Sequence, residues 1–113
     1  MILDTKIDNG ILLAGIQTKE ASLKNADEFK AEMLDLFNKG HRNIVLSFKQ
    51  VEYIDSSFLG ALVASLKSGL SKKGDILLVE LKQDIHDLLC LIRMDKVFRI
   101  YSTKDEAFEK LLP

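Results

Sequence analysis

The spacing of apolar and polar residues at the start of the chain predicts a β-hairpin. Residues 2–7 alternate loosely between the two kinds, as a half-exposed strand does, and residues 11–16 form a second, more apolar run. Asn9-Gly10 stands between the two runs, and this pair supports the positive backbone angles of a tight hairpin turn. We therefore expect two strands, paired antiparallel, in the first part of the chain.

Further along, apolar residues recur at helical spacing in some segments and form short continuous runs in others. The first helix is expected to begin at Asn25, with Glu28 completing a capping-box variant, and to end after Lys39, where Gly40 follows. The remaining predicted elements are a strand at 44–48, a helix at 56–72, a strand at 76–81, a helix at 84–93, a strand at 98–101 and a helix at 103–111.

The resulting order, ββαβαβαβα, predicts a single α/β domain over residues 1–113 with a mixed β-sheet. Strands that alternate with helices pair in parallel through right-handed crossovers, whereas the hairpin adds an antiparallel pair. A chain of this length can bury one core without a metal or a disulfide. We expect the helices to lie on one side of the thin sheet.

The helix at 56–72 has an unusual composition on its predicted outer face. With a rotation of ~100° per residue, its predicted core face consists of Leu59, Leu62, Val63, Leu66 and Leu70. The opposite face consists of Ser57, Ala61, Ala64, Ser65 and Ser68. Exposed helix faces are usually charged, but this one is small and uncharged. Either another element of the domain covers it, because small residues let helices approach closely, or a partner protein docks on it. We favour docking, since a smooth patch on a small domain calls for an explanation.

The start of this helix carries the candidate chemistry. Asp55 is expected to cap the helix, and Ser56 and Ser57 should expose hydroxyls in the first turn, where free amides and the helix dipole favour an anion. A serine at a helix start is usually only a favourable first-turn residue, so the functional interpretation depends on the adjoining uncharged face. Phe58 is expected either to anchor a partner or to pack against Tyr53 or the preceding loop.

Composition argues against several classes of protein. Sixteen basic and 17 acidic side chains give a net charge of -1, so nothing suggests the basic face that direct nucleic-acid binding needs. No apolar run approaches the ~20 residues of a membrane helix, and charged residues interrupt the start of the chain, where a signal peptide would lie. The single cysteine, Cys90, lies in an apolar run and is expected to be a buried thiol. We expect a cytoplasmic protein without membrane insertion.

The sequence also lacks catalytic and metal-binding patterns. His41 and His86 lie far apart, and neither has a neighbouring cysteine or acid pattern of the metal-site type, so both are expected on the solvated surface. The chain has no glycine-rich phosphate loop, no nucleophile elbow and no base evidently placed near Ser56. We therefore expect a protein that is not an enzyme and uses no cofactor or metal.

The segment from Val51 to Leu66 resembles the signature of STAS domains in bacterial anti-sigma factor antagonists. That signature places an aspartate, two hydroxyl residues and a glycine after an apolar strand. The residues that match it are Asp55, Ser56, Ser57 and Gly60. The order of the elements and the segment 88–107 are also similar to the family, so the resemblance covers nearly the whole chain.

The resemblance implies partner switching. In such proteins, an anti-sigma factor that is itself a serine kinase binds the unmodified antagonist and thereby frees a sigma factor; phosphorylation then releases the antagonist, and a phosphatase resets it. Carried over to this chain, the phosphoacceptor is Ser56, with Ser57 as the alternative. The expected partner-binding residues are Asp55, Ser57, Phe58, Ala61, Ala64, Ser65 and Ser68. We expect a monomer or a weak dimer.

The chain departs from the family pattern at three places. Phe58 stands where the family commonly has glycine, the loop after the second strand lacks an aspartate around Gln17, and a glycine at the exit of the third helix is replaced around Met94-Asp95. These changes bear on which partner is recognised. The alternative function is that of an accessory STAS subunit, not phosphorylated, in a lipid transporter or a stress-sensing assembly.

Overall fold

The computed structural model describes residues 1–112, which form four α-helices and seven β-strands. The strands are β1 (Leu3–Asp8), β2 (Ile11–Ile16), β3 (Glu20–Ala21), β4 (Asn43–Ser47), β5 (Tyr53–Ile54), β6 (Asp75–Val79) and β7 (Arg99–Tyr101). The helices are α1 (Leu23–Asn38), α2 (Ser56–Ser71), α3 (Gln83–Leu91) and α4 (Lys104–Leu111), with a 3₁₀ turn at Met94–Lys96. The predicted elements are all present, and β3 and β5 are additional.

The main sheet is mixed, as predicted, with the strand order β1-β2-β4-β6-β7. Only β1 is antiparallel to its neighbour, and the pairs β2–β4, β4–β6 and β6–β7 are parallel. The turn between β1 and β2 has φ of 53° at Asn9 and 79° at Gly10, which are the positive angles that this pair supports. The predicted α/β class and the hairpin are confirmed.

Helices cover both faces of this sheet, so the expectation that they lie on one side is wrong for α4. Along β4, Ile44 and Leu46 pack with the core that α1, α2 and α3 complete, whereas Val45 points to the other face. There it packs in a second cluster with Ala107 of α4. Parallel strands buried on both faces read as continuous apolar runs, and each face then needs its own cover.

A two-residue parallel ladder between β3 and β5 brings the starts of α1 and α2 together. The predicted start of α1 at Asn25 is wrong, because the N-cap residue is Ser22, three residues earlier. The Ser22 hydroxyl accepts a hydrogen bond from the amide of Lys24. Asn25 Oδ1 accepts one from the Ser22 amide, which completes a capping box. Glu20 pairs with Tyr53 in the ladder, and the α1 cap follows directly after it.

Candidate functional site

The carboxylate of Asp55 joins the N-termini of two helices. Its Oδ1 accepts from the amide of Phe58 at 3.0 Å, which caps α2 as predicted. Its Oδ2 accepts from the amide of Leu23, the first residue of α1, at 2.9 Å. The Asp55 amide in turn donates to the carbonyl of Ala21 at 3.0 Å. Two positive helix ends therefore converge on one carboxylate.

The two serines of the motif differ in accessibility. Ser56 is exposed at the first position of α2, and Ser57 is half-buried. Because Ser56 is the first residue of α2, its side chain lies in the first turn of that helix, where free amides and the helix dipole favour negative charge. The sequence predicted this position, but not the link from Asp55 to the first amide of α1.

The buried face of α2 is rotated relative to the prediction. Of the predicted core face, Leu62 and Leu66 are buried, but Leu59 and Val63 are only half-buried and Leu70 is 55% exposed. Of the predicted outer face, Ala61 and Ser65 are buried. The exposure expected for these two residues is therefore wrong.

The cause of this rotation is the packing of α1 against α2. A Cβ on Gly69 would collide with the ring of Phe37 from α1, so the two helices approach closely along the line of Ala61, Ser65 and Gly69. The hydroxyl of Ser65 is satisfied within its own helix, since it donates to the carbonyl of Ala61 at 2.8 Å. The small residues on this line thus serve helix packing, and the docking interpretation is wrong for Ala61 and Ser65.

Phe58 is fully buried and does not anchor a partner from the surface. Its ring packs against that of Phe29 in α1, with the ring centroids 4.5 Å apart and the planes tilted by 36°. It therefore packs against α1, within a core cluster that also contains Val51 and Ile54 of the preceding connection. Where the family commonly has glycine, this chain has a core side chain that fills space between α1 and α2.

The accessible side of α2 carries both small and larger residues. Gly60 and Lys67 are exposed, and the half-buried residues are Ser57, Leu59, Val63, Ala64 and Ser68. Two large apolar side chains are exposed in the segments that meet at Asp55: Leu23 at 74% and Tyr53 at 55%. Sequence reasoning missed both of them as surface residues, because Leu23 preceded the predicted helix and Tyr53 was considered only as a packing partner for Phe58.

Cys90 is exposed, so the expected burial of this thiol is wrong. In α3, Ile85 and Leu89 face the core, and the residue after Leu89 is turned away from it. The Sγ of Cys90 lies 3.7 Å from Nδ1 of His86, one helical turn earlier. His86 and His41 are both half-buried rather than fully solvated.

Residues 1–112 contain neither a candidate metal site nor a membrane-spanning helix. No group of three or more His, Cys, Asp or Glu side chains in this part of the chain is arranged to hold a metal ion. None of its helices combines the length and the apolar character needed to cross a bilayer.

Comparison with known proteins gives consistent matches. A family model described as the STAS domain matches residues 4–107. A Thermotoga maritima protein, provisionally named an anti-sigma factor antagonist, is 37% identical over 106 residues, which are 93% of this chain and 92% of the relative. A crystal structure from the same organism, with the same provisional name, superimposes with a TM-score of 0.86 at 33% identity, over 96% of this chain and 92% of that one.

More distant structures share the fold alone. The Bacillus cell fate determinant SpoIIAA in its phosphorylated form is 12% identical and superimposes with a TM-score of 0.72, covering 97% of this chain and 99% of that one. The anti-sigma factor antagonist SpoIIAA in its unphosphorylated form gives a TM-score of 0.73.

Proposed function

Because the chain belongs to the STAS domain family, we propose that it is an anti-sigma factor antagonist whose binding is switched by phosphorylation of Ser56. The unmodified protein binds an anti-sigma factor that is also a serine kinase, and so releases a sigma factor. Phosphorylation weakens this binding, and a phosphatase restores the unmodified form. The protein acts in the cytoplasm by binding and not by catalysis.

The observation that carries this proposal is the exposed hydroxyl of Ser56 beside the Asp55 bridge. A phosphate adds about -1.5 to -2 charges at pH 7. The N-terminus of α2, where Ser56 lies, tolerates that charge, so the modification leaves the domain folded and acts on the interface instead. The phosphorylated and unphosphorylated structures of SpoIIAA both resemble the fold of this chain, which supports a modification that leaves the fold unchanged. Ser57 is the less accessible alternative.

The partner contacts the accessible residues around this hydroxyl, which we call the Ser56 surface. Its members are Leu23, Tyr53, Ser56, Ser57, Leu59, Gly60, Val63, Ala64, Lys67 and Ser68. Asp55 supports the surface by fixing both helix starts. Exposed leucine and tyrosine side chains supply apolar contact area, and the small residues let a partner approach the helix closely. A phosphate at Ser56 would be desolvated in such an interface, and a loss of ~3 kcal/mol weakens binding more than a hundredfold.

Phe58, Ala61 and Ser65 are left out of the proposed contact surface. Each is buried between α2 and its neighbours, and a partner could reach these side chains only by separating α1 from α2. The departure from the family at Phe58 therefore alters partner choice at most through the spacing of the two helices.

The test uses the purified chain with the cognate anti-sigma factor and ATP. Intact mass and peptide mapping locate the phosphate, and calorimetry measures the affinity of the modified and unmodified chains. We expect Ser56→Ala to abolish phosphorylation and to retain binding, whereas the matched variant Ser57→Ala is still phosphorylated. Phosphorylation that persists in Ser56→Ala and disappears in Ser57→Ala would move the acceptor to Ser57.

Two results would contradict the switch itself. One is a phosphorylated chain that binds the anti-sigma factor as tightly as the unmodified chain does. The other is a chain isolated from its native cell without phosphate and bound to a transporter subunit, which would favour the accessory role. Assays of esterase and phosphatase activity on the purified chain test the expectation that it is not an enzyme.

A further inference from the structure

An open cleft of about 310 Å³ lies on the opposite face of the sheet from α1, α2 and α3. Helix α4 packs against β4, β6 and β7 on this face, and its cluster also includes Ile11 and Leu13 of β2, whereas Lys6 of β1 and Gly15 near the end of β2 stay accessible beside it. The cleft opens where β2, β4 and β6 end, since Ile16, Ser47 and Glu80 line it.

The floor of the cleft contains a glycine that packing does not require. Gly15 lies inside β2, where glycine destabilises a strand by roughly 0.5–1 kcal/mol relative to alanine. Its φ is not in the left-handed region, and a Cβ built on it would have only the carbonyl oxygen of Asp4 within 4 Å, at 3.9 Å. A glycine inside a strand marks a bulge, a bend, or close approach by a ligand or another backbone, and the regular pairing of Gly15 with Asp4 and Ser47 excludes the bulge. A larger residue here would project into the cleft.

The wall of the cleft contains a strained residue that is fixed by hydrogen bonds. Glu80 follows β6 with a φ of 61°, a left-handed conformation that costs a non-glycine residue roughly 1–2 kcal/mol. Its Oε1 accepts from the hydroxyl of Ser47 at 2.7 Å. The ammonium of Lys82 donates to the carbonyl of Lys49 at 2.7 Å, which joins the two loops behind the wall. Strained residues of this kind cluster at ligand sites.

The charges that line the cleft favour an anion. Lys6 of β1, Lys49 after β4 and Lys104 of α4 contribute three ammonium groups from separate elements. None of the three forms an ion pair with another side chain of residues 1–112. The carboxylates in the lining are those of Asp4 and Glu80, and the latter is engaged by Ser47. These carboxylates could also accept hydrogen bonds from hydroxyl groups of a ligand.

We propose that this cleft, with three lysines around the bare backbone of Gly15, binds a small hydroxylated organic anion. The ammonium groups hold its phosphate or carboxylate, and the carboxylates of Asp4 and Glu80 accept from its hydroxyls. The cleft lies on the other face of the sheet from the Ser56 surface. The inference is therefore independent of the proposed function, and failure of one leaves the other standing.

The test is a titration of the isotope-labelled chain by NMR with ribose 5-phosphate and, separately, with citrate. Ribose and inorganic phosphate serve as controls that each lack one of the two required features. We expect saturable shifts of the Gly15, Ser47 and Glu80 amides at millimolar ligand, with no shift at Ser56. If ribose 5-phosphate binds more tightly, the cleft prefers a phosphate group, and if citrate binds more tightly, it prefers carboxylate groups. Absence of saturable shifts with both would overturn the proposal, and inorganic phosphate binding as tightly as ribose 5-phosphate would overturn the role of the hydroxyls.

Two double variants distinguish a specific binding site from nonspecific attraction of anions to lysine side chains. Lys49→Gln with Lys104→Gln should weaken binding about tenfold or more, which corresponds to at least ~1.4 kcal/mol. The matched control, Lys30→Gln with Lys67→Gln, removes the same charge from exposed positions on α1 and α2 and should leave the affinity unchanged. Equal losses in the two double variants would contradict the proposal.

Gly15→Val provides a test that does not depend on charge. Valine suits a strand, and its side chain enters open space, so we expect a melting temperature equal to or above that of the parent. The same side chain occupies the floor of the cleft and should abolish the saturable shifts. A folded Gly15→Val chain that still binds with the parent affinity would overturn the proposal.

Discussion

At the scale of single residues, Asp55 performs two structural roles with the two oxygens of one carboxylate. One oxygen caps α2 at the amide of Phe58, and the other holds the first amide of α1 at Leu23. Ser22 also caps α1 from within its own segment. Asp55 is therefore the residue that fixes where the two helix starts lie relative to each other, and with them the position of Ser56.

We expect Asp55→Asn and Asp55→Ala to destabilise the fold to different degrees. Asparagine caps helices as well as aspartate, but its single carbonyl oxygen cannot serve both amides at full strength, so the loss should be about 1 kcal/mol. Alanine removes both acceptors and should lose about 2 kcal/mol or more. Urea unfolding measures both values. An asparagine variant as stable as the parent would mean that the bond to Leu23 contributes nothing.

The sequence predicted half of this residue's role. The cap on α2 is local, and an aspartate three residues before the amide that it accepts from is recognisable in any sequence. The bond to Leu23 joins residues 32 positions apart and depends on the ladder between β3 and β5. Two strands of two residues each are too short to give a periodic signal.

At the scale of elements, the contact between α1 and α2 decides which side of α2 is the surface. The composition of α2 correctly indicated a line of small residues, but the same line suits either a partner protein or a neighbouring helix. Its apolar residues span more than half of the helix circumference, so the periodicity did not fix the direction of the core. The collision of a Cβ on Gly69 with Phe37 resolves the ambiguity.

Two glycines of α2 should respond in opposite directions to the same substitution. Gly69→Ala drives a methyl group into the ring of Phe37 and should destabilise the fold by about 1–3 kcal/mol. Gly60→Ala places its methyl group in open space on the exposed side of the helix and should stabilise the fold by about 0.5–1 kcal/mol. Thermal or urea unfolding of the pair measures the difference. Similar effects in both would contradict the close packing of α1 on α2.

At the scale of the whole molecule, the sheet has two cores of unequal size. The larger lies under α1, α2 and α3, and the smaller lies under α4 alone. The order and class of the elements were predictable from sequence, because buried parallel strands read as apolar runs and the capping patterns locate the helices. The side on which α4 lies was not, because its short apolar pattern fits either face of the sheet.

The smaller core should depend strongly on single side chains of α4. Phe108 is half-buried against the cluster that contains Val45 and Leu77, and we expect Phe108→Ala to destabilise the fold by roughly 2 kcal/mol. Glu109→Ala changes an exposed neighbour in the same helix and should stay within about 0.5 kcal/mol of the parent. Unfolding curves of the two variants test this. A loss below about 0.5 kcal/mol for Phe108→Ala would mean that α4 is dispensable for stability.

Helix α4 follows β2, β4 and β6 in the chain, and this order has a consequence for synthesis in the cell. A ribosome makes the strands β2, β4 and β6 before it makes the helix that covers their second face. Until α4 has emerged, the nascent chain presents an apolar strip formed by Leu13, Val45 and Leu77 to its surroundings. Chains truncated before α4 therefore expose this apolar strip, which favours aggregation and recognition by chaperones and proteases, whereas chains that contain α4 keep it covered.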